Sequence, residues 1–326
     1  MKLLIVELSE TVYFLLKLCT IADMTKDHKF IEQVWSYYHQ SGRDLPWRRS
    51  ITPYRIVVSE IMLQQTQVSR VLIKYPEWLK QFPTWKSLAL ASTADVIRAW
   101  QGLGYNRRAL ALKKIAEIVM SEYRGKLPSD PELLVSFPGI GSATASSICA
   151  FAFNQPVVFI ETNIRRVYIH HFFGTRDSRL GARKTNLHSQ VPSDKFQVPS
   201  AEYRVTSPEP RDLINDQQLL PIIERTLDRS NPREWYWALM DYGSYLAKKV
   251  DNPNRKSQHY AKQSKFEGSD RQIRGAILKI LADGNLKLEE LKQALNFSPP
   301  RIQQALQQLI DEGFLQISRG QIRLRS

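Results

Sequence analysis

The carboxylate of Glu60 stands in an otherwise uncharged and largely apolar run of the chain. Apolar residues recur there at roughly helical spacing, and Thr52 followed by Pro53 supplies an N-cap and a first-turn proline, which predicts an amphipathic helix. Gln64 and Gln67 follow Glu60 by four and seven residues and are expected on the same side of that helix. A carboxylate among apolar side chains is costly unless it is paired or protonated, and a raised pKa suits a general acid. Spacing alone favours the simpler interpretation, a partly solvated helix face.

A Pro-Gly-x-Gly sequence places Gly139 and Gly141 just before a run of small residues that begins with Ser142. Ser129 and Glu132 match a capping box and predict a short helix before the turn, and the small residues predict a second helix after it. Such a pair of helices directs unpaired backbone N–H groups outward at the start of the second helix, where a phosphate can bind. An ordinary turn is the alternative interpretation.

A third segment ends an apolar stretch with the carboxylate of Glu161, and Asn163, Arg165 and Arg166 follow it. The pattern places Glu161 at the start of a helix. A carboxylate at a helix N-terminus is favoured in its charged form. Glu161 is therefore suited to stabilise a positive charge, whereas Glu60 is suited to donate a proton.

In this order, the three segments resemble the helix-hairpin-helix (HhH-GPD) DNA glycosylase superfamily, and most closely its MutY-type adenine glycosylases. Further matching segments are 42–48, 52–55, 102–105 and 240–243, and the similarity covers roughly residues 30–247 apart from one insertion. The resemblance implies an all-α fold with the two helical lobes of these glycosylases. It also implies a double-stranded DNA partner with a mismatched or damaged base, whose N-glycosidic bond is hydrolysed during base-excision repair.

The resemblance also assigns roles to single residues. Glu60 matches the catalytic glutamate that protonates the base, and Glu161 matches the catalytic aspartate that stabilises the sugar cation. Asn163 matches an asparagine beside the active-site water, and Gln65 matches a glutamine that wedges into the base stack. The predicted DNA-binding residues are Arg43, Gln64, Gln65, Gly139, Gly141, Ser142, Arg165 and Arg166.

Two departures from the family pattern affect the expected chemistry. Glu161 is one methylene longer than the aspartate it replaces, although active-site geometry tolerates only about 0.5 Å. Ala143 occupies the hairpin position where the bifunctional lyases have lysine, so no Schiff base can form there and hydrolysis without strand cleavage is expected. Lys113 and Lys114 could substitute in principle, but a solvated helix face is the expected explanation for them.

Cysteine content predicts that the chain has no iron–sulfur cluster and no other cofactor. These enzymes usually carry four cysteine ligands after a Met-Asp-x-Gly sequence, but this chain has only Cys19 and Cys149. Two unpaired cysteines favour a reducing cytoplasm. The histidines show no metal-ligand spacing, so no metal site is predicted. The corresponding segment is basic and could contact phosphates or be a plain linker; its cations are Lys248, Lys249, Arg255, Lys256, Lys262 and Lys265.

Composition and patterning divide the chain into four parts. An apolar extension at 1–23 is too charged for a membrane span, and translation could instead begin at Met24. The glycosylase domain is expected at 24–250, with a flexible insertion at about 174–215, and a basic linker is expected at 251–268. The net charge of +14 suits a nucleic-acid partner, and we expect a monomer.

Residues 269–326 form the fourth part, in which three helical segments precede strands that alternate around Arg319 and Gly320. This order resembles a small winged-helix domain, with Arg301, Gln304 and Gln308 on the candidate recognition helix. A protein–protein module is the alternative. The unit stands where MutY proteins have a Nudix-like domain that senses oxidised guanine, so the preferred opposite base stays open.

The leading interpretation of the sequence is a monofunctional DNA glycosylase that removes a mismatched adenine. One alternative, with the same chemistry, removes uracil or thymine from mismatches with guanine. Another is a DNA-binding protein that has lost catalysis, and the presence of acidic residues at both 60 and 161 argues against it.

Overall fold

The computed structural model describes residues 10–173, 213–261 and 265–325, and only the backbone of 10–23. The described chain is predominantly helical with one short antiparallel hairpin, which confirms the expected fold class. Most of the predicted insertion at 174–215 lies outside the described residues. Among those described, no helix combines the length and apolar character needed to cross a membrane. The elements are α1 (Glu10–Ser41), α2 (Pro46–Arg49), α3 (Pro53–Leu63), α4 (Val68–Gln81), α5 (Trp85–Leu90), α6 (Thr93–Trp100), α7 (Arg107–Ser121), α8 (Pro131–Val135), α9 (Ser142–Phe153), α10 (Thr162–Phe173), α11 (Asp216–Thr226), α12 (Pro232–Lys249), a 3₁₀ turn (Pro253–Lys256), α13 (Asp270–Asp283), α14 (Leu288–Ala294), α15 (Pro299–Asp311), β1 (Leu315–Ser318) and β2 (Gln321–Leu324).

The described residues fall into two compact units. The first unit contains those within Met1–Gly42, Ile160–Leu227 and Glu234–Ala261, and the second contains those within Arg43–Phe159, Asp228–Arg233 and Lys262–Ser326. The expected domain boundaries stay predictions.

Aromatic side chains form much of the core of the first unit. The ring centroid of Phe30 on α1 lies 5.1 Å from that of Tyr168 on α10 and 6.1 Å from that of Trp235 on α12. The Tyr168 hydroxyl, which would be costly to bury alone, is 2.7 Å from the Thr226 hydroxyl. Large buried rings of this kind contribute much of the apolar area that stabilises a helical core. They pack α10, which begins directly after Glu161, against α1.

The second unit is built around α3, which packs against α4, α7 and α9. Ile56, Val57 and Ile61 are fully or almost fully buried, so α3 has the apolar face that its sequence predicts. The Thr52 side chain accepts a hydrogen bond from the backbone N–H of Arg55, and Pro53 lies in the first turn. The predicted start of α3 is therefore confirmed.

Two local predictions within the second unit are wrong. α3 ends at Leu63, and Gln67 is the N-cap of α4, so Gln67 does not continue the face that carries Glu60. The short helix before the hairpin is capped by Asp130, whose side chain accepts from the N–H of Glu132, rather than by Ser129. Asp and Ser are comparable N-caps, so a capping-box pattern did not decide between neighbouring positions.

The C-terminal part of the second unit has the three helices and the hairpin that the sequence predicts. Leu315 pairs with Leu324 and Ser318 with Gln321, so two residues connect the strands. Both connecting residues have positive φ, +52° at Arg319 and +74° at Gly320, as a type I′ hairpin turn requires. α13 packs against α6 and α15, so these helices continue the core of the second unit.

Candidate active site and DNA-binding residues

Glu60 is partly buried on α3, and one of its polar neighbours comes from α9. The hydroxyl oxygen of Ser147 lies 2.6 Å from Oε2 of Glu60 and 3.0 Å from the carbonyl oxygen of Thr144. A serine hydroxyl has one proton, so it can donate to only one of these two acceptors at a time. When the Ser147 hydroxyl donates to the carbonyl of Thr144, it can only accept a hydrogen bond from Glu60. That hydrogen bond requires a protonated Glu60 carboxyl. The arrangement therefore accommodates a neutral, proton-bearing Glu60.

The chain between α3 and α4 carries the two predicted DNA-binding glutamines. Gln65 is exposed and has a φ of +52°, a conformation that side-chain-bearing residues seldom adopt. Gln64 is half-buried, and its Nε2 donates to the carbonyl of Gly139 at 3.2 Å and to the Thr144 hydroxyl at 3.3 Å. Gln64 thus fixes α3 to the hairpin, whereas Gln65 is directed to the surface.

Arg108, on α7, stabilises the break between the end of α3 and the start of α4. Its guanidinium donates to the carbonyls of Ile61, at 2.9 Å, of Met62, at 3.0 Å, and of Gln64. It also donates to the Thr66 hydroxyl at 2.9 Å. These groups are helix-end acceptors that lack intrahelical partners. Burial lowers the pKa of Arg108 to about 10, so the guanidinium remains charged at neutral pH.

The hairpin has the geometry that its sequence predicts. Gly139 adopts a φ of +77°, and α9 begins at Ser142, directly after Gly141. Gly141, Ser142 and Ala143 are exposed, and the N–H groups in the first turn of a helix have no intrahelical acceptor. With the positive end of the α9 dipole, these amides form a site suited to a phosphate.

Glu161 caps α10, as the sequence predicts. Its Oε1 accepts hydrogen bonds from the backbone N–H of Asn163 at 2.7 Å and of Ile164 at 3.0 Å, and its Oε2 accepts from Nδ2 of Asn163 at 3.3 Å. Burial raises the pKa of Glu161 above the ordinary glutamate value, while these N–H groups and the nearby charge of Arg166 act in the opposite direction. The carboxyl is thus a desolvated group whose negative charge is stabilised by oriented donors.

Arg166 connects Glu161 and Asn163 to α12. Its Nη1 donates to Oδ1 of Asn163 at 2.7 Å and to the carbonyl oxygen of Gly243 at 3.0 Å. A Cβ at Gly243 would lie 2.5 Å from the carbonyl oxygen of Asn163, so only glycine allows this approach of α12 to α10. The Asn163 amide is oriented from both sides, which suits the role predicted for it.

The other predicted DNA contacts differ in their surroundings. Arg165 forms a two-point ion pair with Asp216, with N–O distances of 2.8 and 2.6 Å, so it and Arg166 both have partners within the chain. Arg43 lies between α1 and α2, where its carbonyl accepts from Nη1 of Arg48. DNA contact by these three arginines stays a prediction. The structure places Arg43, Glu60, both glutamines and the hairpin in the second unit, and Glu161, Asn163, Arg165 and Arg166 in the first.

Two residues near the predicted site were not identified from the sequence. Ser147 is one of several small residues on α9, and nothing in its spacing distinguishes it from Ser146. Arg108 follows another arginine in a polar stretch that is typical of a solvated helix start. Both were missed because their partners come from helices distant in sequence.

The segment after α12, residues 245–261, corresponds to the one in which cysteine ligands of an iron–sulfur cluster are expected, but it contains no cysteine. Nδ2 of Asn254 in the 3₁₀ turn donates to the carbonyl of Thr162 at 3.0 Å, and this residue is 5% exposed. In the described residues, no three His, Cys, Asp or Glu side chains converge as metal ligands would. Cys149 lies elsewhere in the core, where burial raises its pKa to about 11. The donor set of 245–261 does not fit an iron–sulfur cluster.

The two lysines considered as substitutes for a hairpin lysine both pair with Glu117. The Nζ of Lys113 lies 2.5 Å from one carboxylate oxygen, and that of Lys114 lies 3.1 Å from the other. The solvated-face interpretation describes Lys114, whose side chain is 62% exposed, but not Lys113, which is only 15% exposed and also donates to the carbonyl of Ala89 at 3.1 Å.

Comparison with known proteins identifies the family to which this chain belongs. Residues 58–191 match the HhH-GPD superfamily of base excision DNA repair proteins. An adenine DNA glycosylase of Mycobacterium tuberculosis (strain ATCC 25618 / H37Rv) is 36% identical over 248 residues, which is 76% of each chain. The chain belongs to this family of DNA glycosylases. A second adenine DNA glycosylase, from Mycolicibacterium smegmatis, is 30% identical and covers 87% of this chain, with 92% of its own length matched.

Solved structures support the fold of the family. A thermostable thymine-DNA glycosylase superposes with a TM-score of 0.54 over 73% of this chain and 94% of its own, at 20% sequence identity. At that identity, the likeness shows the glycosylase fold alone and not the base that is removed.

Proposed function

We propose that this protein is a monofunctional adenine DNA glycosylase of base-excision repair, which hydrolyses the N-glycosidic bond of a mismatched adenine. The contact between Glu60 and Ser147 is the observation that carries the proposal. It accommodates a protonated carboxyl beside the break between α3 and α4, which carries Gln64 and Gln65. The names of the relatives above supply the choice of adenine.

The reaction needs two carboxyl groups in different protonation states. Breaking the bond between sugar and base leaves negative charge on the base and positive charge on the sugar. Glu60 donates its proton to a ring nitrogen of adenine, so that the base departs neutral, and the ionised Glu161 stabilises the sugar cation. A water molecule then adds to the anomeric carbon, and its proton passes to Glu60, which restores the starting state.

The surroundings of each carboxyl support this division. Ser147 can accept from a neutral Glu60 and donate to an ionised one, so the contact persists through both proton transfers. Two backbone N–H groups and the Asn163 amide bind the Glu161 carboxylate, and Arg166 stabilises its charge. A carboxylate oriented in this way can stabilise positive charge that develops on the sugar, and preorganised electrostatic groups are a large source of transition-state stabilisation.

We also propose that base release occurs without strand cleavage by the enzyme. Ala143 has no amine, and the amines of Lys113 and Lys114 both pair with Glu117, which supports hydrolysis without a Schiff base at these positions. Borohydride treatment during turnover should trap no covalent protein–DNA complex. Trapping of a complex that disappears in Lys113→Met or Lys114→Met would contradict this part of the proposal.

A panel of end-labelled duplexes tests the base assignment. It contains adenine opposite 8-oxoguanine, adenine opposite guanine, uracil opposite guanine and thymine opposite guanine. Adenine duplexes should yield alkali-labile product in single-turnover reactions, and the pyrimidine duplexes should yield at least tenfold less. Preference for uracil or thymine would replace the proposal by the pyrimidine alternative. Binding without product on any duplex would favour a protein that has lost catalysis.

A further inference from the structure

A cavity of about 430 Å³ opens beside the break between α3 and α4, entirely within the second unit. Gln65, Tyr105 and Asn106 line it from the glycosylase side, and Arg271, Arg274 and Gln308 line it from α13 and α15 of the C-terminal part. The site therefore combines residues more than 160 positions apart in the sequence, which is why sequence patterns did not reveal it. Its volume lies in the range of sites that bind one small ligand.

Two strained residues form the glycosylase side of the cavity. Gln65 and Tyr105 have φ values of +52° and +46°, although neither is glycine. Such conformations are uncommon for residues that carry a side chain, and they concentrate at functional sites. Arg108 donates to carbonyls at both turns, including those of Gln64 and Gly104, and so maintains both conformations. These backbone conformations place the side chains of Gln65 and Tyr105 at the opening of the cavity.

The C-terminal part supplies the cationic side of the cavity. Nη1 of Arg271 donates to the Tyr105 hydroxyl, and its guanidinium carbon lies 5.4 Å from the ring centroid. Arg274 is positioned by Glu312, with N–O distances of 2.9 and 2.5 Å, and by Oε1 of Gln308 at 3.3 Å. Each arginine is thus oriented by contacts within the second unit rather than extending freely into solvent.

The chemistry of the lining matches one nucleotide better than a phosphate alone. Guanidinium groups bind phosphates and also the O6 and N7 acceptors of guanine. Side-chain amides, such as those of Gln65 and Gln308, form hydrogen bonds with base edges, and an aromatic ring such as Tyr105 can stack on a base. No carboxylate is among the residues that line the cavity, all of which the structure describes.

The position of the cavity indicates which nucleotide it can bind. Glu60 lies in the last turn of α3, and Gln64 and Gln65, which line the cavity, directly follow the end of that helix. A glycosylase extrudes its target base from the duplex, which leaves the opposite base without its pairing partner. We propose that Arg271, Arg274 and Gln308, together with Gln65 and Tyr105, bind the nucleotide opposite the extruded base. The C-terminal part would then take part in recognising that base, an inference that rests on the proposed function.

Paired substitutions in the full-length protein test this inference. Gln308→Ala removes an exposed amide at the cavity, and Gln303→Ala removes an exposed amide elsewhere on α15. Arg271→Gln removes a charge at the cavity, and Lys279→Gln removes an exposed charge from the same helix, α13. Each protein carries Glu60→Gln to prevent turnover, and its melting temperature is recorded.

The measurement is the ratio of dissociation constants for two duplexes at one salt concentration. One has adenine opposite guanine, and the other has adenine opposite an abasic site. A base contact discriminates by about 1–3 kcal/mol, which corresponds to about 5- to 150-fold. Gln308→Ala and Arg271→Gln should each reduce the ratio at least fivefold, whereas Gln303→Ala and Lys279→Gln should keep it within twofold.

Two results would overturn the inference. The first is an unchanged ratio in both cavity variants. The second is an equal loss of affinity for both duplexes, which would show phosphate contact without recognition of the base. Base release by the protein with Glu60 intact is measured separately, so failure of the proposed function is distinguishable from failure of this inference.

Discussion

At the scale of single residues, the two carboxyl groups assigned to catalysis differ in what contacts them. Glu60 contacts a hydroxyl that can either donate or accept, whereas Glu161 contacts only donors. The first environment suits a group that gains and loses a proton, and the second stabilises a negative charge. We therefore expect substitutions at the two carboxyl groups to have different effects.

Glu60→Gln should abolish base release and leave duplex affinity within a few-fold. The amide keeps the size of the side chain but cannot act as an acid, and acid catalysis contributes about 10² to 10⁴-fold to such reactions. Single-turnover rates and a binding titration on the same duplex measure the two effects. Near-normal turnover would mean that Glu60 has only a structural role.

Ser147→Ala should slow base release about tenfold, because a hydrogen bond to the reacting carboxyl is lost and such bonds contribute about 1–1.5 kcal/mol. Ser146→Ala, which removes the neighbouring hydroxyl on α9, is the matched control. Both variants should bind DNA as the parent does. Equal rates for the two variants would show that the hydroxyl of Ser147 does not act on Glu60.

Glu161→Gln should lose at least about 10²-fold in single-turnover rate, as removal of one charge-stabilising group does in other enzymes. Glu161→Asp should retain measurable activity because it keeps the charge and restores the usual side chain of the family. A Gln variant that melts lower but cleaves normally would reduce Glu161 to a helix cap, worth about 1 kcal/mol.

The stability of the same variant should depend on pH in a defined direction. Burial raises the pKa of Glu161 above 4.5, so the folded state binds this proton more tightly than the unfolded state. That contribution to stability is present below pH 4.5 and is lost as the pH rises through the folded-state pKa. The melting temperature of Glu161→Gln relative to the parent should therefore increase from about pH 4.5 towards neutrality. A difference in melting temperature between the variant and the parent that does not change with pH over this range would contradict the prediction.

At the scale of elements, the break between α3 and α4 depends on a single side chain. The guanidinium of Arg108 satisfies the carbonyls of Ile61, Met62 and Gln64 at the end of one helix and those of Leu103 and Gly104 in another turn. Without it, the buried carbonyls of Ile61 and Met62 would lose this donor, and each unsatisfied buried group costs about 1–3 kcal/mol.

Arg108→Met should therefore lower the free energy of unfolding by at least about 2 kcal/mol. It should also weaken DNA binding, because Gln65 would no longer be fixed in its strained conformation. Lys114→Met on the same helix, α7, is the control, since its side chain is 62% exposed and surface ion pairs contribute about 0–1 kcal/mol. Urea denaturation of both variants measures the difference; equal midpoints would refute the assigned role of Arg108.

The sequence could predict elements whose signals are local. The Thr52–Pro53 start of α3, the hairpin turn at Gly139 and the turn at Arg319 and Gly320 each follow from backbone preferences of neighbouring residues. It could not predict the break after Leu63, because no proline or glycine marks it and the stabilising arginine comes from α7. The same reason applies to Ser147 and to the cavity, whose parts meet only in the folded chain.

At the scale of the whole molecule, hydrogen bonds connect the segment after α12 to its neighbours in the first unit. The 3₁₀ turn at Pro253–Lys256 lies against α10, where Asn254 donates to Thr162. The N–H of Ile214 donates to the carbonyl of Lys256 at 2.7 Å, and the N–H of Gln258 donates to the carbonyl of Ile214 at 3.0 Å. Backbone hydrogen bonds and a buried amide thus connect this segment to its neighbours.

This network leads to a prediction about metal content. The purified protein should contain no stoichiometric iron and show no visible absorbance band of an iron–sulfur cluster, because two cysteines cannot provide four thiolate ligands. Chelators should leave its melting temperature unchanged, whereas Asn254→Ala should lower it, since the buried Asn254 side chain then no longer donates to the carbonyl of Thr162. Asn252→Ala is not a suitable control because that side chain caps the same turn, so the exposed Gln258→Ala serves instead. One equivalent of iron in the metal analysis, or a chelator-induced fall in melting temperature, would show that the ligand argument is wrong.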